Sequence, residues 1–317
     1  MADQGQQRLP LKTYRGNCHC AAFVYETQFP EIKSAFECNC SICYKKGYLL
    51  LFPALGTLKV VKGSLDELST YSFGEGQTDH KVGEPLAANV DVTDRSGSTK
   101  FCPSCGTPVM AVRPSAAVEK SIGLNDKVHA IQGVNTWELE RIPYNGKAVE
   151  QPYQSPKYTG KEPISKAENA KTYHGSCHCG AVTLALKSAP LDKDYPDKVL
   201  VCNCSVCERN AYVWIQPPAE AVAIQGEKNL VRYEFGRRIV AKTFCKTCGV
   251  HMTNGPSASL SDEQYAALSD GFKAWVDMSR ALCPVNLRVL NEFDIKEIKE
   301  PERLTGGGEV KPKYVNP

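Results

Sequence analysis

The residues in this chain best equipped for chemistry are its cysteines. Of fifteen, all but Cys283 fall into two sets of seven with one internal order. The first set runs Cys18 and Cys20, then Cys38, Cys40 and Cys43, then Cys102 and Cys105. The second runs Cys177 and Cys179, then Cys202, Cys204 and Cys207, then Cys245 and Cys248. Each is a Cys-x-Cys, a Cys-x-Cys-x-x-Cys and a Cys-x-x-Cys. Thiols at such short spacing serve as disulfides, as iron–sulfur ligands or as zinc ligands. The first residues carry no apolar signal stretch, so the expectation is a cytoplasmic chain with reduced thiols, and an odd number per set also fits disulfides poorly. Iron–sulfur clusters use other spacings. Zinc is the expected metal, with up to four ions per chain.

Seven thiols divide as four plus three. A closed structural zinc takes four ligands, commonly as two short pairs from distant parts of the chain. Cys18, Cys20, Cys102 and Cys105 would make one such site, and Cys177, Cys179, Cys245 and Cys248 the other. Gly106 and Gly249, each following the last cysteine, supply the positive φ of a tight turn. The remaining trios, Cys38/Cys40/Cys43 and Cys202/Cys204/Cys207, can hold one face of an ion and leave its fourth position open, as catalytic zinc sites do. Three thiolates weaken the ion's Lewis acidity, so an incoming small thiol, held as its thiolate, suits the site better than water. The competing reading closes each trio with a fourth ligand such as His80 or His129. His19 and His178 lie between two cysteines already assigned, and on a strand would face the other way.

The elements that position these residues read as short strands. The chain has 317 residues, 42% of them hydrophobic, and a formal net charge of +3, which fits a globular protein of two domains. The apolar run Tyr48 to Phe52 is too short to span a membrane. Lys45-Lys46 and Arg237-Arg238 are isolated basic pairs, so nucleic acid is not an expected partner. Apolar residues alternate through Ala21, Phe23 and Tyr25, and again through Ala181, Thr183 and Ala185, as in a half-buried strand. Further short strands follow each metal loop, at Tyr48 to Pro53 and Tyr212 to Pro217, then at Leu58 to Gly63, Ala223 to Gly226, Thr70 to Gly74 and Arg232 to Gly236. The first repeat has a polar insert near Glu75 to Ser98. The second has a helical stretch at Ser259 to Arg280, with Ser261 as N-cap and an interruption at Gly271. The boundaries are placed at 13–150 and 172–317, with 151–171 as linker. Pro312-Lys313-Tyr314 echoes Pro156-Lys157-Tyr158, so the tail is expected either to wrap over its own repeat or to be solvated.

Gly-x-Cys-His-Cys, Cys-Asn-Cys-Ser-x-Cys and Phe-Cys-x-x-Cys-Gly, present in both halves, resemble the glutathione-dependent formaldehyde-activating enzyme (GFA) family, also called the centromere protein V family. The resemblance implies a mainly β fold: two tandem zinc-stapled Mss4-like (GFA-type) β domains with short helical additions. It also implies a structural zinc on the outer pairs and a more exchangeable zinc on the trio, where glutathione is the co-substrate. Two departures stand out. Ala21 replaces the glycine kept as Gly180, and Val285-Asn286-Leu287-Arg288 has only Val128-His129-Ala130-Ile131 opposite it. The resulting expectation is a carbon–sulfur lyase or synthase acting on a thiol and an electrophile or their adduct, in which Cys38, Cys40, Cys43, Cys202, Cys204 and Cys207 carry the chemistry. Lys45, Lys46 and Arg209 would either pair with glutathione carboxylates or lie on the open surface. Ser41 and Ser205 would shape the loops, Tyr48 and Tyr212 would line a pocket or a core strand, and Cys283 would be buried. The two domains are expected to pack as a pseudo-dimer. Rival readings are a zinc-stapled protein-binding module without turnover, and a tailoring enzyme for a larger glutathione adduct.

Overall fold

The structure, a computed structural model, describes residues 9–53, 56–73, 97–114, 122–148, 150 and 152–317. It is mainly β. The short, glycine-punctuated strands assemble into two three-stranded and two seven-stranded sheets. In the first half, Lys12–Asn17, Val24–Phe29 and Lys59–Lys62 form the small sheet. The large one runs Glu140–Tyr144, Ser34–Cys38, Leu49–Leu51, Ile122–Lys127, Pro108–Pro114, Gly97–Phe101, Ser69–Phe73. The second half repeats both orders. Its small sheet is Lys171–Ser176, Thr183–Ser188, Val222–Gln225, and its large sheet is Glu302–Leu304, Leu200–Cys202, Trp214–Ile215, Val285–Asn286, His251–Pro256, Val240–Cys245, Leu230–Glu234. In each large sheet the strand leading into the three-cysteine loop pairs in parallel with a late strand, Ser34–Cys38 with Glu140–Tyr144 and Leu200–Cys202 with Glu302–Leu304. That pairing brings the chain just beyond the late strand over the loop.

The alternation through Ala21, Phe23 and Tyr25 is not all strand. Cys18 to Phe23 is a turn closed by Cys18 N–H to Phe23 C=O at 3.1 Å, and extended pairing starts at Val24. Ala21 sits in that turn at φ +59°, where the second half has Gly180 at φ +79°. A side chain in the left-handed region costs about 1 kcal/mol that glycine avoids.

Four α-helices are present among the described residues: α1 Ser41–Lys46, α2 Ser205–Asn210, α3 Asp262–Ala266 and α4 Asp270–Ala281. Ser261 is the N-cap of α3, in a capping box with Gln264. The helical stretch breaks at Ala267 to Ser269, before Gly271: Ser269 stands at the N-cap position of a second helix, its carbonyl accepting from Phe272 and Lys273 N–H, and Gly271 lies in that helix's first turn. The insert Glu75 to Ser98 and His80 lie almost wholly outside the described residues.

The largest apolar cluster draws on both halves. Tyr71 and Phe101 from the first pack with Leu184, Phe244 and Val289 from the second. Phe101 and Phe244 meet edge to face with centroids 6.5 Å apart. Gly249 lies against Phe101, and Gly106 against Phe244 and His251. These two glycines therefore serve twice: as the positive-φ turn residue, at +66° for Gly249 and +71° for Gly106, and as the flat spot on which the other half's aromatic rests.

The tail lies elsewhere than either expectation. Tyr314 stacks on His19 with centroids 4.5 Å apart and donates to its carbonyl at 2.8 Å, so the end of the chain wraps over the opposite half. Its structural counterpart is Tyr153, which stacks on His178 at 4.3 Å and donates to its carbonyl at 2.8 Å. The Pro-Lys-Tyr echo pointed to Tyr158, which instead bonds Lys161 C=O.

Candidate metal and thiol sites

All four cysteine groups expected from spacing come together. Cys18, Cys20, Cys102 and Cys105 form one cluster and Cys177, Cys179, Cys245 and Cys248 another, with all sulfurs of each within 4.8 Å of one another. The Sγ–Sγ separations of 3.6 Å (Cys18–Cys20), 3.5 Å (Cys20–Cys102) and 3.6 Å (Cys177–Cys179, Cys179–Cys245) are far too long for disulfides. They match the edge of a tetrahedron with Zn–S near 2.3 Å, about 3.8 Å. Backbone amides support the sulfurs, Phe23 N–H on Cys18 and Val182 N–H on Cys177, each at 3.3 Å. Hydrogen bonding with Cys179 drives Cys177 well up, and for Cys248 the opposing burial is outweighed by bonds from Cys177, Cys179 and Cys245, so that thiol is held well below its usual range. Such a donor set fits a dication.

The trios form on helix starts. Cys40 and Cys204 are the N-cap residues of α1 and α2, and Cys43 and Cys207 follow three residues later, so both side chains gather at the first turn. Cys38 and Cys202 end the preceding strands. Among the described residues no histidine or carboxylate joins either trio. His129 is not a fourth ligand of either, and His80 lies outside the described residues. The first trio is buried, whereas Cys202 and Cys204 are partly open.

A glycine stands over each trio. Gly146 and Gly307 occupy matching turns beyond the late parallel strands, and a Cβ on either would run into Cys38 Sγ or Cys202 Sγ. Gly307→Ala is therefore expected to displace Cys202 and remove one bound metal ion per chain while the other sites stay filled, as read by metal analysis after dialysis.

The histidines of the two Cys-His-Cys motifs cross to the other half. His178 Nε2 lies 2.9 Å from Ser41 Oγ, and its Nδ1 lies 2.7 Å from Tyr71 O–H. In the mirror arrangement His19 Nε2 lies 2.8 Å from Ser205 Oγ and Nδ1 2.8 Å from Tyr233 O–H. Burial lowers both histidines to about 4, so both are neutral near pH 7. In the first site Ser41 Oγ donates to Glu150 Oε2 at 2.7 Å, and Ser41 N–H reaches both Glu150 oxygens at 3.0 Å. A carboxylate only accepts, so His178 carries its proton on Nε2, donates it to Ser41 and accepts from Tyr71. Among the described residues the second site has no counterpart of Glu150. These crossed contacts carried no signal in the spacing.

Lys45, Lys46 and Arg209 are not on the surface: they are 4%, 4% and 6% exposed. Lys45 Nζ donates to Ser176 C=O and Val289 C=O at 3.0 Å, and Arg209 reaches Asn17 Oδ1 at 3.1 Å and Asn316 Oδ1 at 2.6 Å. Both clamp the halves together, so their donors are engaged by protein oxygens rather than open to a ligand. Lys46 Nζ has no hydrogen-bond partner among the described residues and sits 4.6 Å from the Phe101 ring centroid. Burial lowers it to about 8, and the nearby Cys248 and Cys245 oppose that shift. It lies beside the second half's four-cysteine cluster, where negative charge on Cys248 and Cys245 favours its protonated form.

Tyr212 is a buried core residue whose hydroxyl lies 2.7 Å from His251 Nδ1, and Tyr48 is buried too. Cys283 is half-buried, and burial raises it to about 11. Between the halves lies a cleft of 360 Å³ that touches Cys202 and Cys207 and is walled by Trp137, Arg141, Arg288 and Arg303. Of these only Arg288 was singled out by sequence.

The sequence model of the family described as glutathione-dependent formaldehyde-activating enzyme matches residues 172–282. That span holds both cysteine pairs and the trio of the second half. A crystal structure of a Rhodobacter sphaeroides protein is similar at 23% identity over 41% of this chain and 98% of that one, with a TM-score of 0.29. No helix among the described residues is long and apolar enough to cross a membrane.

Proposed function

We propose that the chain is a glutathione-dependent carbon–sulfur lyase or synthase built from two GFA-type units, acting at a three-thiolate zinc centre. The observation that carries this reading is a trio of converging cysteines with no fourth protein ligand among the described residues, in a span that matches the glutathione-dependent family. Zinc held by the trio would supply an open position where a thiol is kept as thiolate at neutral pH. In the synthetic direction the sulfur attacks an aldehyde carbonyl carbon, a C–S bond forms, and the carbonyl oxygen takes the proton the thiol has lost. The lyase direction returns that proton to sulfur as the C–S bond breaks. Ser41 and Ser205, each oriented by a neutral histidine of the opposite half, fix the loop that carries the thiolates. Formaldehyde is the family's named electrophile, and the site is proposed to act in the cytoplasm. The four-thiolate clusters, closed by their own ligands, hold the fold.

The test is zinc per chain with and without glutathione, for the wild type, Cys40→Ser and Cys204→Ser. Thiol-dependent loss or re-ligation of zinc, abolished by substitution in a responding trio, is expected. Zinc indifferent to thiol would sink the lyase reading and favour a protein-binding module.

A further inference from the structure

The two trios are unequal in their surroundings. Cys38, Cys40 and Cys43 are all buried, and the Glu150 carboxylate occupies the first free amide of their helix. An anionic thiol arriving there meets a carboxylate and a closed wall. Cys202 and Cys204 are partly open, no carboxylate caps their loop among the described residues, and the 360 Å³ cleft opens on Cys202 and Cys207. Its volume lies within the about 300–1,000 Å³ usual for small-molecule sites.

The cleft wall comes from both halves. Arg141 and Trp137 belong to the first, Arg288 and Arg303 to the second. Among the described residues none of these arginines has a carboxylate within 4.0 Å. Arg141 bonds Thr136 C=O, Arg288 donates from Nε to Ala211 C=O at 2.8 Å and from Nη1 to Tyr44 C=O at 3.5 Å, and Arg303 lies 5.5 Å from the Trp137 ring centroid. Each guanidinium has five N–H donors, so most of that capacity is free for a ligand. His129 also faces the cleft, and its buried Nδ1 has no partner among the described residues. Glu37, Glu208 and Glu300 line the same space. Three cations and three anions without close pairing suit a ligand with carboxylates and an ammonium group better than a simple anion.

We infer that this cleft recognises the carboxylate-bearing ends of a zwitterionic peptide thiol and delivers its sulfur to Cys202, Cys204 and Cys207, with the first half serving as the binding wall. The inference rests on the proposed thiol chemistry and names the trio and the residues that select the thiol. Arg–carboxylate pairs give strong, planar, often bidentate hydrogen bonds, so the arginines discriminate between a peptide thiol and a bare one.

The test uses the full chain loaded with Co²⁺, titrated with glutathione and with 2-mercaptoethanol while the thiolate-to-metal absorption band is followed. Arg141→Met and Arg303→Met are each expected to raise the glutathione Kd by about tenfold or more, with the 2-mercaptoethanol Kd and the metal content unchanged. Cys204→Ser should abolish the glutathione response. Unchanged glutathione affinity in both arginine variants, or a glutathione response that survives Cys204→Ser, overturns the cleft assignment while leaving thiol chemistry standing. A wild-type band that neither thiol perturbs overturns both.

Discussion

Cys105→Ser and Cys248→Ser are expected to abolish cooperative folding, whereas Cys283→Ser should shift the melting temperature by no more than a few degrees. The first two remove a sulfur from a cluster whose four members come from distant strands, Cys18 and Cys20 after the first strand and Cys102 and Cys105 far along the sheet. Zinc in such sites contributes on the order of 10 kcal/mol or more, comparable with the whole stability of a domain. The loss would leave two buried cysteines and a half-buried one without the full ligand set that the proposed cation needs, and it lies where Gly106 and Gly249 abut the opposite half. Cys283 has no metal-ligating neighbours among the described residues, and serine there costs only the burial of one hydroxyl. Circular dichroism melts with metal analysis on the same samples check this. A cooperative wild-type-like melt for Cys248→Ser would mean that the cluster is not a staple.

The cysteine groupings were legible because metal ligation demands particular residue types at short spacing, and that pattern survives in one dimension. The mainly β character was legible for a similar reason, from short runs broken by Gly and Pro. The junction was not. His178 and Ser41 lie 137 residues apart, and no local rule couples a histidine between two cysteines to a serine in another loop. Lys45 and Arg209 read as surface because charged residues usually are. They are buried here because each finds carbonyl or amide oxygens on the other half, and those partners are set by packing rather than pattern. The C-caps show the same limit. Gly47 at φ +61° and Ala211 at φ +50° are equivalent turns, yet only one methyl fits, since a Cβ on Gly47 would lie 2.6 Å from that of Ala211. Whether Gly or Ala stands at such a cap is decided by a neighbour that local sequence does not reveal.

Residues 172–317 expressed alone are expected to lack a cooperative transition, although they contain a full set of seven cysteines and the span that matches the family. Removing the first half uncovers Phe244, Val289 and Leu184 in the shared cluster, at about 1.5–3 kcal/mol for each large side chain fully exposed. It also strips His178 of its Tyr71, Ser41 and Tyr153 partners and leaves Arg209 without Asn17. A buried polar group that loses its hydrogen bonds costs about 1–3 kcal/mol where it cannot reach water. A handful of such losses equals the 5–15 kcal/mol that holds a typical domain together. Co-expression with residues 1–158 as a separate chain should restore a single transition, because the contacts between halves need proximity and not a peptide bond. Urea unfolding of the fragment, the co-expressed pair and the intact chain separates the outcomes. An isolated second half that unfolds cooperatively near the intact chain's midpoint would show that the shared cluster and the crossed histidines are incidental to folding, and would return the two halves to independent units.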